Sequence, residues 1–314
     1  MSLDFLVQMN HEPKKPGVAL IDISQLAIAT AVQNFSGKEY ETFNIGMMRH
    51  LILSTLKSNV VRARKEGYPT IVVTVDNTHM HGYTRRDIAD YYKRNRQKMR
   101  EDSKFDFDGF FEHFPTVLQE IQDNMPYIVL SIPRIEADDH IGVITNYCLV
   151  RNIPVLIMSS DGDFTQLHKG DMVKQWSPTL KKFVKPKFGS SHMDLMVKIV
   201  KGDKKDGVSP IQTRNDFYVN PLEGQRAPPA ATKWIESIAD CTTDEQIEKL
   251  LNDGTLWKRF KENRDLIDLS RIPDVYQEQI REMYENAVPA SKGKMYKYFI
   301  RSGLSKLLKD IDQF

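Results

Sequence analysis

Two short apolar runs that each end in an aspartate constrain this chain more than any other feature. Val18 to Ile21 leads into Asp22, and Thr70 to Val75 leads into Asp76. Similar apolar runs at 127–130, 155–158 and 172–176 alternate with segments of helical pattern at 24–30, 45–66 and 136–149. Such alternation is typical of right-handed crossovers that build a mostly parallel sheet. The sequence therefore predicts an α/β fold with a central, mostly parallel sheet flanked by helices.

The second half of the chain has a different pattern. Residues 181–187 are expected to be extended, and the pattern is mostly helical after Ser190. A proline-containing loop at 221–229 interrupts the helical pattern, which continues to the end. We expect three regions, which are a flexible arm at 1–12, an α/β core at 13–189 with a basic helix at about 84–100, and a smaller helical domain at 190–314.

Composition excludes several classes of protein. The only two cysteines, Cys148 and Cys241, are too few for a disulfide framework and lack the spacing of metal ligands. The first residues have no basic stretch followed by an apolar one, so no secretory signal is predicted. No run of about 18 uncharged apolar residues is present, so no membrane span is predicted. We expect a soluble intracellular protein.

The net charge is small, but the charges are unevenly distributed. The chain has 44 basic and 42 acidic residues, which gives a net charge of +2. Residues 80–100 contain seven Lys or Arg and two Asp, and residues 169–205 contain ten Lys and three Asp. Basic surfaces around an acidic centre suit a polyanionic substrate held against metal ions.

Nine carboxylates follow the predicted strands or lie in one later turn. They are Asp22, Asp76, Glu136, Asp138, Asp139, Asp161, Asp163, Asp203 and Asp206. The carboxyl ends of parallel strands form the ligand site of an open sheet, and converging carboxylates repel each other unless cations compensate them. An oxygen-only set indicates Mg²⁺ or Mn²⁺, and so many acids favour two ions, the arrangement used for phosphodiester hydrolysis.

A simpler interpretation exists for each acid taken alone. An aspartate at a strand end is often a helix N-cap, and Glu136 and Asp139 suit a helix N-terminus whatever their function. Five separate segments contribute acids to one edge, which favours the metal site.

The segment from Thr84 to Arg96 predicts a basic helix with two aromatic residues, Tyr91 and Tyr92. Lys and Arg neutralise phosphates, and an aromatic face stacks on an unpaired base. The alternative is a solvated helix face. Because the segment follows the strand that ends in Asp76, we favour contact with the substrate.

Several of these motifs resemble the flap endonuclease / 5′-nuclease family, and in particular its bacteriophage members. They are Ala19-Leu20-Ile21-Asp22, Arg85-Arg86, Tyr91-Tyr92-Lys93-Arg94-Asn95-Arg96, Glu136-Ala137-Asp138-Asp139-His140, Ser159-Ser160-Asp161-Gly162-Asp163-Phe164-Thr165-Gln166-Leu167 and Gly202-Asp203-Lys204-Lys205-Asp206. The resemblance implies a PIN-like core and a nuclease with two Mg²⁺ ions, for which Mn²⁺ substitutes. It also implies 5′-to-3′ exonuclease, flap endonuclease and RNase H activity that removes RNA primers from lagging-strand fragments.

The resemblance also assigns roles to residues. Asp22, Asp76, Asp138 and Asp161 match the tighter metal site; Asp163, Asp203 and Asp206 match a second, more hydrated site; Glu136 and Asp139 reach the metals directly or through water. Lys93 and Arg85, with Asp138 and Asp161, are the expected catalytic residues, and the basic helix forms an arch over the 5′ strand. Expected contacts to RNA–DNA hybrid, flap and nicked duplex DNA come from Arg85, Arg86, Tyr92, Lys93, Arg94, Arg96, Lys201, Lys204 and Lys205.

The chain departs from the family pattern after Asp206. Relatives carry a glycine-rich hairpin there that grips duplex DNA and sometimes a K⁺ ion, whereas Gly207 to Arg214 lacks the glycine pair. Duplex binding is still expected from Lys198 and the neighbouring lysines, but a K⁺ site is not.

The resemblance implies protein partners as well. Leu3, Phe5 and Leu6 resemble a peptide that binds the phage sliding clamp, although the same arm is also consistent with a disordered terminus or with a segment that covers a strand. A phage single-stranded-DNA-binding protein is expected to dock on the C-terminal helices. The expected state is a monomer in the cytoplasm of an infected bacterium.

Two other functions are weighed against this one. Asp161-Gly162-Asp163-Phe164-Thr165 fits the DxDxT motif of aspartyl-phosphate phosphatases, but it follows the fourth strand, whereas those enzymes carry it after the first. A non-catalytic, clamp-tethered module that binds flap DNA would need none of Asp163, Asp203 and Asp206.

Overall fold

The computed structural model describes residues 15–35 and 44–314, and within them it shows a six-stranded sheet. The strands are β1 Val18–Asp22, β2 Thr70–Thr74, β3 Ile128–Leu130, β4 Val155–Met158, β5 Val173–Ser177 and β6 Lys182–Phe183. Their order is β3-β2-β1-β4-β5-β6, and all neighbours are parallel except β5 and β6. The predicted mostly parallel sheet is confirmed. The predicted arm at 1–12, with Leu3, Phe5 and Leu6, lies outside the described residues.

Helices connect the strands and form most of the second half of the chain. They are α1 Ile23–Phe35, α2 Ile45–Lys65, α3 Asn95–Glu101, α4 Phe107–Asn124, α5 Ala137–Val150, α6 Ser191–Lys201, α7 Thr232–Ala239, α8 Asp244–Leu251, α9 Gly254–Ile267, α10 Asp274–Glu285, α11 Lys292–Arg301 and α12 Ser305–Leu308. In the described part of the chain no helix is long and apolar enough to cross a lipid bilayer.

The central strand β1 is buried along its whole length because helices cover both faces of the sheet. Its side chains alternate between two apolar cores. Ile21 lies in a core formed with α1, α2, α4, α11 and α12. Leu20 lies in the core on the other face, formed with α5 and α10. The sheet therefore holds the carboxyl end of β1 rigidly.

The helices after residue 190 do not share a single core. Helices α6 to α9 pack together with Tyr91 and Tyr92 of the basic segment. Ile280 of α10 and Phe299 of α11 instead pack on the two faces of the sheet. The predicted domain boundary between residues 189 and 190 therefore stays a prediction. Helices from beyond it pack directly on the sheet.

The prediction of one continuous basic helix over 84–100 is wrong. Thr84–Asp87 forms a short 3₁₀ helix, and the next helix is α3, which begins at Asn95. Between them Lys93 has φ 56°, in the left-handed region that interrupts an α-helix. The backbone N–H of Lys93 donates to the carbonyl of Asp206 at 2.8 Å, which fixes this turn against the α6–α7 connection.

Candidate active site

The carboxyl ends of the three central strands carry acidic side chains. Asp22 is the last residue of β1, Asp76 lies two residues after β2, and Asp161 lies three residues after β4. The chain adds β2 and β3 on one side of β1 and then β4 and β5 on the other. Open parallel sheets bind ligands at such a point of reversal. The three aspartates therefore stand at the edge of the sheet where a ligand site is expected.

Asp22 is the most central of these acids and is only 3% exposed. Its Oδ1 accepts the Gln25 backbone N–H and its Oδ2 accepts the Ser159 hydroxyl, each at 3.0 Å. Burial, followed by the negative charges of Asp76 and Asp161, raises the pKa of Asp22 to about 7. Asp22 is thus both a helix cap and a carboxylate that needs a nearby cation to stay ionised.

Asp76 and Asp138 share this electrostatic environment. Burial raises the pKa of Asp76, and the negative charge of Glu136 adds to the effect. Burial also raises the pKa of Asp138 well above its usual range, with Asp161 contributing repulsion. Among residues 15–35 and 44–314, neither Asp76 nor Asp138 forms an ion pair within 4.0 Å. Buried Asp22 and half-buried Asp76 and Asp138 thus form a group of acids whose charge is not compensated by an ion pair in the described part of the chain.

Arg85 binds two of the predicted metal ligands and is 7% exposed. Its Nη1 lies 2.7 Å from Glu136 Oε2, its Nη2 lies 2.7 Å from Asp139 Oδ1, and Nη1 also donates to Asp139 Oδ2 at 3.1 Å. Its Nε donates to the carbonyl of Leu266 at 2.9 Å. Both oxygens of Asp139 are therefore taken by Arg85. This geometry gives Arg85 and Asp139 a role in positioning the site, and the predicted contacts of Arg85 with substrate and of Asp139 with metal stay predictions.

Lys93 lies inside the site and is 5% exposed. Its ammonium group forms an ion pair with Glu136 and lies 3.5 Å from Asp206 Oδ2. Although burial alone would lower it, the charges of Asp206 and Glu136 hold the pKa of Lys93 well above its usual range. Lys93 is thus a permanent positive charge among the acids.

Tyr92 does not have the position that the sequence predicts. Its ring is 3% exposed, packs in the core of α6 to α9, and lies 5.0 Å from the Lys93 ammonium. A buried ring has no free face for a base, so stacking by Tyr92 is not supported. The exposed basic residues between Thr84 and Arg96 are Arg86 and Arg94, of which Arg94 pairs with Asp90 at 2.7 Å.

Asp163, Asp203 and Asp206 form a second group of acids. Each offers one carboxylate oxygen, and these oxygens lie within 4.8 Å of one another. Asp138 joins them in lining a cavity of about 10 Å³, close to the space that one water molecule occupies. Oxygen donors around so small a space fit a hard cation such as Mg²⁺ or Mn²⁺.

Protein cations already compensate part of this second group. Arg96 Nη2 lies 2.5 Å from Asp206 Oδ1. Although burial alone would raise it, the charges of Lys93 and Arg96 hold the pKa of Asp206 well below its usual range. Lys198 pairs with Asp163 and Asp203.

The predicted duplex-binding lysines fall into two groups in the structure. Lys201 and Lys204 are exposed and lie beside the site without contacting the acids. Lys205 forms an ion pair with Asp161. The sequence analysis missed Ser159, whose hydroxyl binds Asp22. Its position immediately before Ser160-Asp161 was a usable signal.

Hydrogen bonds hold the segment around Asp206 against α9. Gly202 has φ 71°, and a Cβ there would lie 2.2 Å from the Val208 carbonyl oxygen, so no other residue fits. The carbonyl of Ser209 accepts Arg259 Nη2 at 3.2 Å and Asn263 Nδ2 at 2.8 Å. Side chains of α9 thus hold the segment after Asp206, for which the sequence predicts duplex binding without the glycine pair.

Comparisons with known proteins agree with this geometry. Residues 19–194 match the family described as "5′-3′ exonuclease, N-terminal resolvase-like domain", and residues 189–314 match "T4 RNase H, C terminal". Ribonuclease H of Enterobacteria phage T4 is 46% identical over 309 residues, which cover 98% of this chain and 99% of that protein.

Solved structures share the fold at low sequence identity. A variant of the phage T5 D15 flap endonuclease, in a pseudo-enzyme-product complex with DNA and metal ions, aligns with a TM-score of 0.59 and 16% identity, covering 86% of this chain and 100% of that one. The T5 5′-exonuclease with bound zinc ions aligns with a TM-score of 0.58 and 18% identity, covering 87% and 100%.

These matches decide between the functions that the sequence left open. The family match includes residues 161–165, so the phosphatase interpretation of that motif is rejected, and so is a non-catalytic module. A chain with both family matches and nearly half its residues shared with a phage ribonuclease H belongs to the 5′-3′ exonuclease family and is a nuclease.

Proposed function

We propose that this nuclease is a Mg²⁺-dependent 5′ nuclease that hydrolyses phosphodiesters near 5′ ends of RNA–DNA hybrids and of flap or nicked duplex DNA. Its role would be to remove RNA primers from lagging-strand fragments in phage DNA replication, in the cytoplasm of the infected bacterium. The observation that carries the proposal is the convergence of acids from β1, β2, β4, α5 and the α6–α7 connection around buried Lys93.

Two sets of acids would hold the metal ions. The first-site acids are Asp22, Asp76, Asp138 and Asp161, and the second-site acids are Asp163, Asp203 and Asp206. When bound, two Mg²⁺ ions lower the pKa of an attacking water and stabilise the leaving oxygen. The raised pKa values of Asp22 and Asp138 support this assignment, because burial and then the neighbouring carboxylates disfavour their charged forms, and a bound cation would offset both effects.

The chain itself supplies positive charge for the substrate. Lys93, held by Glu136, offers a fixed cation that stabilises negative charge developing on the reacting phosphate. Arg85 keeps Glu136 and Asp139 in place. The exposed Arg86, Arg94, Lys201 and Lys204 are placed to neutralise phosphates of the bound strands.

An open cavity of about 910 Å³ supports a path for the unpaired 5′ strand. Lys93 and Glu136 line it on the side of the acids, and Arg100 lines it farther out. The rings of His79 and Phe111 stack there with centroids 4.5 Å apart, and Arg100 lies 4.7 Å from the Phe111 ring. Aromatic and guanidinium groups along a groove are typical of single-strand binding.

The partners remain part of the proposal. The D15 flap endonuclease complex contains DNA, which supports a nucleic-acid substrate for this relative of it. We further propose that the arm with Leu3, Phe5 and Leu6 binds the phage sliding clamp. A phage single-stranded-DNA-binding protein would dock on the C-terminal helices of the monomer.

Asp161→Asn tests the proposed activity. Asp161 lies beyond the carboxyl end of β4, whereas Asp171 lies before the amino end of β5, at the opposite edge of the sheet. The Asp171 side chain is 89% exposed and forms an ion pair with Lys174. Asp171→Asn is therefore the matched control. Each protein is incubated with a 5′-labelled RNA–DNA hybrid and a 5′-flap DNA, with Mg²⁺ or with EDTA.

With Mg²⁺, the wild type and Asp171→Asn should give short 5′-labelled products. No such products should form with EDTA, and Asp161→Asn should give none in either condition. Binding of flap DNA by Asp161→Asn should be retained or improved, because a negative charge facing phosphate is removed. Turnover by Asp161→Asn at the wild-type rate would contradict the metal assignment.

A further inference from the structure

The two sets of acids differ in how they are compensated. Within the described ranges, three of the four first-site acids, Asp22, Asp76 and Asp138, form no ion pair within 4.0 Å, whereas the fourth, Asp161, pairs with Lys205. All three second-site acids, in contrast, contact a Lys or Arg. The second site thus carries protein counter-ions on all three of its acids.

Lys198 is the counter-ion most closely matched to a metal position. It lies in the last turn of α6, and its ammonium contacts Asp163 Oδ1 and lies 2.7 Å from Asp203 Oδ2. These are two of the three acids whose oxygens lie within 4.8 Å of one another. The ammonium group therefore takes up carboxylates that a second divalent ion needs.

We propose that Lys198 is a displaceable counter-ion that sets the divalent-metal affinity of the Asp163–Asp203–Asp206 site. This inference rests on the proposed two-metal function. A divalent ion enters the second site in exchange for the Lys198 ammonium, and the exchange lowers the apparent affinity. Without substrate, the second site then fills at higher metal concentration than the first, because Lys198 holds two of the three second-site acids, whereas Lys205 pairs with one of the four first-site acids, Asp161.

The surroundings of Lys198 allow it to leave. Its side chain is 26% exposed, and an ammonium on a flexible four-carbon stem is readily hydrated. Arg85 provides the contrast, because its side chain is 9% exposed and donates to Glu136, Asp139 and the Leu266 carbonyl. A divalent ion carries twice the charge of the ammonium at the same oxygens, so Coulomb attraction favours the exchange.

Titration of Mn²⁺ alone into the metal-free full chain, without DNA, tests the proposal. Free Mn²⁺ is measured by electron paramagnetic resonance, which gives the number of bound ions and the Kd of each. The variants are Lys198→Met, Lys198→Gln and Lys198→Arg. The matched control is Lys57→Met, because Lys57 is similarly shielded (19% exposed) and pairs with a different carboxylate, Asp310, at 2.7 Å.

Both neutral variants at position 198 should bind the second Mn²⁺ about tenfold more tightly than the wild type, because a unit charge close to the site is gone. Lys198→Arg and Lys57→Met should keep the wild-type affinity. Thermal unfolding with and without Mn²⁺ checks each variant's fold, and the neutral variants should gain more Tm from Mn²⁺ than the wild type.

Three outcomes overturn the proposal, and they are distinguishable. A second Mn²⁺ that binds equally well to wild type and to both neutral variants rejects the role of Lys198 alone. If the neutral variants bind the second Mn²⁺ more weakly than the wild type, Lys198 only holds Asp163 and Asp203 in position. A single Mn²⁺ bound by every protein rejects the two-metal assignment, and the role of Lys198 with it.

Discussion

The Lys93 ammonium and the Glu136 carboxylate form an ion pair that is almost completely buried, with side chains 4% and 1% exposed. Lys93 comes from the turn before α3, and Glu136 is the N-cap of α5. The pair therefore joins the basic segment to the acids at the sheet edge. Neither residue reaches bulk water, so their charges act on each other and on what enters the site.

Lys93→Ala should slow cleavage far more than it weakens substrate binding. Loss of a preorganised charge at the reacting group costs about 10²–10³ in rate, whereas the exposed Arg86 and Lys204 still hold the duplex. Single-turnover rates and Kd values for flap DNA measure the two effects. Lys98→Ala, an exposed neighbour in α3, is the control. Equal losses in rate and affinity would make Lys93 an ordinary phosphate contact.

Arg85→Ala should destabilise the protein by about 3–5 kcal/mol, because it leaves Asp139 buried without its partner and removes one of the two cations that pair with Glu136. Urea unfolding of the metal-free protein measures the change. Arg271→Ala removes an exposed ion pair with Asp265 and should change stability by less than about 1 kcal/mol. If Arg85→Ala is as stable as Arg271→Ala but inactive, Arg85 contacts the substrate as the sequence first predicted.

Deletion of Met1 to Met9 tests the proposed clamp contact. Cleavage of flap DNA without other proteins should be unchanged, because the acids and Lys93 all lie in later segments. Stimulation by the phage sliding clamp should disappear. The triple substitution of Leu3, Phe5 and Leu6 by Ala should have the same effect as the deletion. Loss of cleavage in the absence of the clamp would instead assign the arm a role in the fold.

The sequence predicts the fold well because strand and helix patterns are local. Asp22 and Asp76 lie where the apolar runs end, and parallel pairing alone is enough to bring them together. Local patterns do not reveal which charges meet across the chain. Arg85 and Lys198 are residue types that typically contact phosphates, yet packing between distant segments places Arg85 against Asp139 and Lys198 against Asp163.

The basic segment shows the same limit. Its residues favour a helix locally. The backbone hydrogen bond from Lys93 to Asp206, 113 positions later, instead holds Lys93 in a left-handed turn. Tyr92 is buried for the same reason, since the turn packs it against α6 to α9. No periodicity within the segment carries that information.

Asp22→Asn should stabilise the metal-free protein, increasingly so as the pH rises. Burial and the neighbouring carboxylates raise the pKa of Asp22 to about 7 in the folded chain, against an ordinary value of 3.8. Between these two pH values the folded state binds more protons than the unfolded state, so the stability of the wild type falls as the pH rises toward 7. The amide of the variant does not titrate and has no such dependence. In EDTA the Tm difference should be near zero at pH 4 and reach about 5 °C at pH 8. A Tm difference that is constant from pH 4 to 8 would contradict this. Added Mg²⁺ should raise the Tm of the wild type more than that of the variant, whose first site has lost one ligand.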